Sequence, residues 1–247
     1  MFTARNAHAL HSPYLFQLYN EVIRARKNPA AAPIEELRSK MLRDDRSFDV
    51  VDLGAGSKAG LTQSREVKQL AAAVTVAPKY GALLARLVAF SQAKNILELG
   101  TSLGIGTSYL ALAEGVHVTS IDACGNTQKV AHENLKGLGL SKRVELVNGS
   151  FDAALDDLLE DGKKWDLVYV DGDHRYSATL HYFQRLLPYL HEESILVFDD
   201  IYWSPGMTKA WDEIKADPAV RQTVDVLQFG IVFFRSNQLR EHFRLRL

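Results

Sequence analysis

The chain has 247 residues, 47% of them hydrophobic and 24% charged, enough to bury one substantial core. A formal net charge of −1 supplies no general attraction to nucleic acid, and the single Cys124 cannot close an intramolecular disulfide. No apolar run reaches the roughly 18 residues of a membrane span, and residues 1–11 lack the apolar centre of a signal peptide, so a cytoplasmic setting is expected.

Residues 1–73 read as a helical extension or cap. After Ser12-Pro13, residues Leu15, Phe16, Leu18, Tyr19, Val22 and Ile23 fall at helical spacing. The Pro/Ala-rich stretch 28–33 interrupts that helix, and 34–42 reads as a second one. The run 50–57, with Asp52, Gly54 and Gly56, has the form of a nucleotide-binding glycine turn. Residues 58–73 supply no second strand ending in an acid, so the run is expected to be a turn or a loop packed near the site. His8 and His11 read as surface or capping residues.

Residues 74–247 read as a second unit. An amphipathic helix over 78–90 leads into strands at 95–100, 116–122, 144–149, 165–171 and 194–199. Helices at 105–114, 125–138, 152–160, 175–188 and 206–216 alternate with them. Strict alternation predicts an α/β fold, a doubly wound parallel sheet with helices on both faces. The end differs: 223–229 and 231–235 are apolar runs separated by little more than Gly230, which predicts a hairpin.

Four strand ends carry chemistry. The first strand ends in Gly100, and the chain turns through Gly104 and Gly106 into a helix, where a ligand can approach the backbone. Asp122 ends the second strand, about twenty residues on, where a ribose diol would be held. That spacing fits a nicotinamide dinucleotide nearly as well as a nucleoside sulfonium, and Glu98 favours the latter. The run Trp165-Asp-Leu-Val-Tyr-Val-Asp-Gly-Asp-His174 delivers Asp171, Asp173 and His174 to the same sheet edge, and the next strand adds Asp199 and Asp200. Carboxylates gathered in this way repel unless a cation or proton offsets them. Hard oxygen ligands suit Mg²⁺, Mn²⁺ or Ca²⁺; the other reading has one acid capping a helix and the rest solvated. His174 and Asp173 are candidate bases for a hydroxyl proton, and His174 reads equally as a supporting neighbour. Tyr202 and Trp203, just after the acid pair, could line an aromatic or sugar-binding mouth or pack at a dimer interface.

The run Glu98-Leu-Gly-Thr-Ser-Leu-Gly-Ile-Gly-Thr-Ser108 resembles motif I of class I S-adenosylmethionine-dependent methyltransferases. Over 74–234 the chain is similar to their catechol O-methyltransferase-like group. The resemblance implies a Rossmann-like, seven-stranded, mostly parallel sheet with an antiparallel C-terminal strand, and makes 74–247 the methyltransferase domain. It implies that S-adenosylmethionine is held by Glu98, Gly100, Thr101, Ser102, Gly104, Gly106, Thr107, Asp122, Ala123 and Asp171. Gly149, Ser150 and Phe151 would frame the adenine; without the resemblance, that stretch reads as a strand end with Ser150 or Asp152 capping the next helix. The resemblance makes Asp171, Asp199 and Asp200 the metal ligands; Asp171, with the candidate bases Asp173 and His174, is the expected catalytic group, and the lysine base of the catechol group has no clear counterpart in this run. Asp200 departs from the catechol pattern, which has Asn there, and is closer to the macrocin group of sugar O-methyltransferases. The implied function is metal-assisted O-methylation of a small hydroxylated molecule. The alternatives are tRNA wobble-uridine O-methylation, a nicotinamide-dependent oxidoreductase and a non-catalytic cofactor-binding module; a homodimer is compatible with each.

Overall fold

The computed structural model of the chain describes residues 12–25, 29–51 and 62–247. Asp52, Gly54, Gly56, His8 and His11 lie outside the described residues. Ser12 opens the first helix, its Oγ accepting the Leu15 N–H, and Pro13 suits a first turn whose N–H groups have no helical partner. Helix α1 (Pro13–Leu18) continues as a π-helical turn, Tyr19–Ile23, and is followed by α2 (Ala32–Met41). Strands β1 (Ser47–Val51) and β2 (Thr62–Glu66) form a separate antiparallel pair, so the N-terminal region is not helical alone. Then come α3 (Val67–Val74) and α4 (Pro78–Ser91).

From there strands and helices alternate: β3 (Asn95–Leu99), α5 (Ile105–Leu110), β4 (His117–Asp122), α6 (Gly125–Gly137), β5 (Val144–Asn148) and α7 (Phe151–Leu159). The second half adds β6 (Leu167–Val170), α8 (Tyr176–Leu186), β7 (Ile195–Phe198) and α9 (Pro205–Ala216). The expected hairpin is β8 (Gln222–Val226) and β9 (Phe229–Phe233), and a further strand, β10 (Glu241–Arg244), ends the series. The sheet order is β10-β8-β9-β7-β6-β3-β4-β5.

The sheet has eight strands where seven were expected, because β10 adds to β8 in parallel, Glu241 facing Gln222 and Arg244 facing Asp225. The reversed strand is β9, antiparallel to both β7 and β8, so it lies inside the sheet and not at its edge. The remaining pairings of the large sheet are parallel.

Period-two alternation divides the core between the two faces. Ile96, Val118, Leu167, Ile195 and Ile231 pack on one side with Leu83, Leu84 and Leu87 of α4 and with Leu15 and Leu18 of α1. Leu97, Leu99, Ile121, Val168, Leu196 and Phe198 pack on the other with Trp165, Phe183 and Trp211. Each fully buried Leu, Ile or Phe contributes about 1.5–3 kcal/mol of transfer free energy. Burial on both faces explains why β6 and β7 are continuous apolar runs that end at their first acids.

Candidate active site

The glycine turn after β3 is held by backbone geometry that side chains would disrupt. Gly100 has φ +112°, and a Cβ there would lie 1.9 Å from the carbonyl oxygen of Asp171. The Gly100 and Thr101 N–H groups both donate to the Ile121 carbonyl, at 2.9 and 3.2 Å. Ser102 and Gly104 also have positive φ. The Asp122 carboxylate fastens this turn to the start of α6, accepting from the Ser102 N–H through Oδ2 and the Cys124 N–H through Oδ1, both at 2.8 Å. Ala123, between them, is half-buried.

Glu98 lies beneath the turn, fully buried. Its Oε2 accepts from the hydroxyls of Thr107 and Ser120, each at 2.5 Å, and the Thr101 and Ser120 hydroxyls lie 2.6 Å apart. Oε1 has no hydrogen-bond partner among the described residues, and a Cβ at Gly106 would lie 2.9 Å from it. Burial pushes the Glu98 carboxyl up to about 7, against the opposing pull of its two hydroxyl donors.

At the end of β5, Gly149 donates to the Asp122 carbonyl at 3.0 Å, and open space surrounds the position its Cβ would take. Ser150 caps α7, its Oγ accepting from the Ala153 N–H at 3.3 Å. The Phe151 ring packs edge-on against Tyr182, with centroids 5.5 Å apart, and lies close over Gly172, where a Cβ would sit 2.8 Å from Phe151 Cζ. Phe151 thus links the β5 turn to the loop after β6.

That loop and the one after β7 bring the acids together. Tyr169, two residues before Asp171 and therefore on the same face of β6, directs its hydroxyl at Asp171 Oδ2 (3.0 Å) and Asp199 Oδ2 (2.9 Å). Asp199 Oδ1 accepts from the Asp200 N–H at 2.6 Å. His174 Nε2 stands 3.6 Å from Asp171 Oδ1 and 3.9 Å from Asp200 Oδ2. Asp173, at φ +48°, is engaged by Arg175 through Nε and Nη2. Burial, with Glu98 and Asp200 adding repulsion, pushes the Asp171 carboxyl up to about 7. Burial and the charges of Asp171 and Asp200 hold Asp199 well above the usual carboxylate range. Tyr169 is raised too, by burial and by the same acids.

Sequence reasoning did not single out Tyr169 or Arg175. The spacing between Tyr169 and Asp171 was the available signal for the first, and an Arg two residues after an Asp for the second. Among the described residues, no three His, Cys, Asp or Glu side chains stand ready to hold a metal ion. The donor set still suits one: raised carboxyls crowded at two strand ends would be relieved by a hard divalent cation.

Residues 97–201 match a family model described as a methyltransferase domain. The chain is 30% identical over 152 residues to a catechol O-methyltransferase of Niastella koreensis, a match covering 60% of this chain and 66% of that one. It is 29% identical over 156 residues to a catechol O-methyltransferase of Mycobacterium tuberculosis, covering 62% of this chain and 69% of the relative. The matched stretch thus spans about two thirds of each relative. The solved O-methyltransferase of Bacillus cereus in complex with SAH superposes with a TM-score of 0.62 at 19% identity, covering 87% of this chain and 94% of that one, and shows the fold. The central, mostly parallel sheet flanked by helices is Rossmann-like, the fold that this solved O-methyltransferase shares. Residues 97–201 are thus similar to a methyltransferase domain, and the stretch matched in the relatives is similar to S-adenosylmethionine-dependent O-methyltransferases of the catechol group.

Proposed function

We propose that the protein is an enzyme that transfers the methyl group of S-adenosylmethionine to a hydroxyl of a small molecule, with a divalent metal ion assisting. The observation that carries this reading is the placing of Asp171, Asp199, Asp200 and His174 at one sheet edge, with the Asp171 carbonyl against the glycine turn. The catechol O-methyltransferase relatives favour a small hydroxylated acceptor over the nicotinamide, tRNA and non-catalytic alternatives. No single helix among the described residues is long and apolar enough to cross a membrane, in keeping with the cytoplasmic setting we include in the proposal.

In this mechanism Glu98, Gly100, Thr101, Ser102, Gly104, Gly106, Thr107 and Asp171 line the donor's amino-acid end. Asp122 and Ala123 flank its ribose, and Gly149, Ser150 and Phe151 its adenine. Glu98 Oε1, which has no partner among the described residues, keeps acceptor capacity for a ligand N–H or O–H group. When bound, the donor would supply a sulfonium methyl already activated for transfer; Asp171, Asp199 and Asp200 would hold a divalent ion, which would supply the lowering of an acceptor hydroxyl's pKa. Lining up the acceptor oxygen is then the main demand on the protein. His174 takes the hydroxyl proton on Nε2, the atom that faces Asp171 and Asp200. Asp173, fastened to Arg175, supports the loop that carries His174. Residues 1–73 act as a cap on the methyltransferase domain of 74–247, anchored through α1 in the shared core.

A calorimetric titration of S-adenosylhomocysteine, with and without Mg²⁺ and with NAD⁺ as control, tests the proposal. Micromolar binding of the nucleoside with no NAD⁺ heat is expected, together with a separate Mg²⁺ heat that Asp200→Ala abolishes. Heat from NAD⁺ alone would overturn the donor assignment. Nucleoside binding without a metal heat would overturn the metal and leave the donor.

A further inference from the structure

The loop that follows Asp199 and Asp200 is tied to the nearer edge of the sheet through its own Tyr202 and two strand side chains, Asp225 and Arg244. The Tyr202 hydroxyl donates to Asp225 Oδ2 on β8. Arg244, on β10, donates to the same Oδ2 from Nε at 2.9 Å and to the Tyr202 oxygen from Nη2. Its guanidinium also lies over the Tyr202 ring, 4.9 Å from the centroid. Asp225 is buried, 5% exposed, and is itself fixed: Oδ1 accepts from the Leu227 N–H at 3.0 Å, and its carbonyl from the Leu245 N–H at 2.8 Å.

These contacts bear on the acids directly upstream. Asp200 adopts φ +53°, a conformation that a non-glycine residue keeps only where its surroundings impose it. The Trp203 N–H closes the turn on the Asp200 carbonyl at 2.9 Å, and the Ile201 N–H reaches the Gln228 carbonyl at 3.2 Å. The loop therefore has two anchors, the backbone bond to the β8–β9 turn and the Tyr202–Asp225–Arg244 group. Tyr202 is turned into that group, while Trp203 stays 70% exposed.

We propose that Arg244, acting through Asp225 and Tyr202, is a positioning residue that fixes the 200–203 loop and so sets the acceptor side of the site. The inference rests on the methyltransferase reading for its functional meaning. Its structural core is independent: the eighth strand holds the loop that follows the acid pair. Arg suits the task because its fork serves a carboxylate and a hydroxyl at once while its face covers the aromatic ring.

The chain has three tryptophans, and Trp165 and Trp211 are each 1% exposed, so iodide-accessible fluorescence reports on Trp203. In Arg244→Ala the anisotropy of that accessible emission should fall, and added guanidinium ion should restore it. Arg244→Lys, which keeps the charge and loses the fork, should fall between. S-adenosylhomocysteine affinity should stay within about twofold of the parent. With catechol as acceptor, KM should rise about tenfold while kcat changes less. Unchanged anisotropy and unchanged KM in a folded Arg244→Ala variant would overturn the proposal. If Arg244→Ala fails to fold, Tyr202→Phe removes only the hydroxyl and is judged by the same two readouts. Failure of the parent protein to bind S-adenosylhomocysteine would count against the methyltransferase reading alone, since the anisotropy still decides whether the loop is held.

Discussion

The Tyr169 hydroxyl donates to the buried Asp199 carboxylate at 2.9 Å while lying 3.0 Å from that of Asp171. One phenol therefore serves two acids that burial and neighbouring carboxylates have already pushed up. Tyr169→Phe keeps the ring, which packs 5.6 Å from that of Phe229, and leaves the acids without their shared donor. A buried acceptor that loses a hydrogen-bond donor costs about 1–3 kcal/mol. The urea midpoint of Tyr169→Phe should fall accordingly; an unchanged midpoint would show that the hydroxyl is not what satisfies these acids.

Glu98 gives the fold a pH dependence of definite sign. Its folded-state value is about 7, raised by burial from 4.5. Between those values the folded protein binds more protons at this site than the unfolded chain does, so stability falls as pH rises through that window. Glu98→Gln keeps an acceptor for Thr107 and Ser120 and removes the titration. Relative to the parent, the variant should gain up to about 3 kcal/mol between about pH 5 and about pH 8. Urea melts at the two ends of that range measure it. A constant difference across the range would mean that Glu98 titrates normally.

Two glycines of the proposed donor site should respond in opposite ways to alanine. Gly100→Ala meets the Asp171 carbonyl at 1.9 Å from a backbone at φ +112°, a collision with main chain that no side-chain rotation relieves. It should yield no cooperatively folded protein. Gly149→Ala enters open space and should stay within about 0.5 kcal/mol of the parent by thermal melting.

Arg38 joins α2 to the chain before α4. It donates to the Thr75 hydroxyl and the Val76 carbonyl, both at 2.6 Å, and pairs with Glu35 at 3.1 Å. Glu35 in turn accepts from the hydroxyl of Tyr109 on α5, the helix that follows the glycine turn. Arg38→Ala should cost about 1–3 kcal/mol in urea denaturation, since it leaves the buried Val76 carbonyl without that donor and takes away the cation paired with Glu35. Tyr109→Phe, which removes one bond and keeps the ring, should cost about 1 kcal/mol.

The alternation from residue 95 to 216 was legible because parallel strands buried on both faces are short apolar runs, and each ends where its acid or glycine begins. Two of the strands that were not legible, β2 and β10, share a reason. The β2 segment reads Thr-Gln-Ser-Arg-Glu and β10 reads Glu-His-Phe-Arg, and neither carries the hydrophobic pattern that marks a strand. Both form by edge pairing, β2 on β1 alone and β10 on β8 alone, so a sequence window contains little of what holds them. At the site, the acids could be located because strand ends collect them. Their partners could not: Arg244 reaches Tyr202 across 42 residues, and local spacing is silent on such a contact.

The approach of Gly100 to the Asp171 carbonyl has a consequence for anyone who would redirect this protein toward a new acceptor. The donor turn and the acid loop touch through main chain, and the neighbouring Phe151–Gly172 contact leaves no more slack. A mutant library that varies both loops freely would consist mostly of misfolded members. Diversity is better confined to a position such as Trp203, 70% exposed, where new side chains can be tried without moving either backbone.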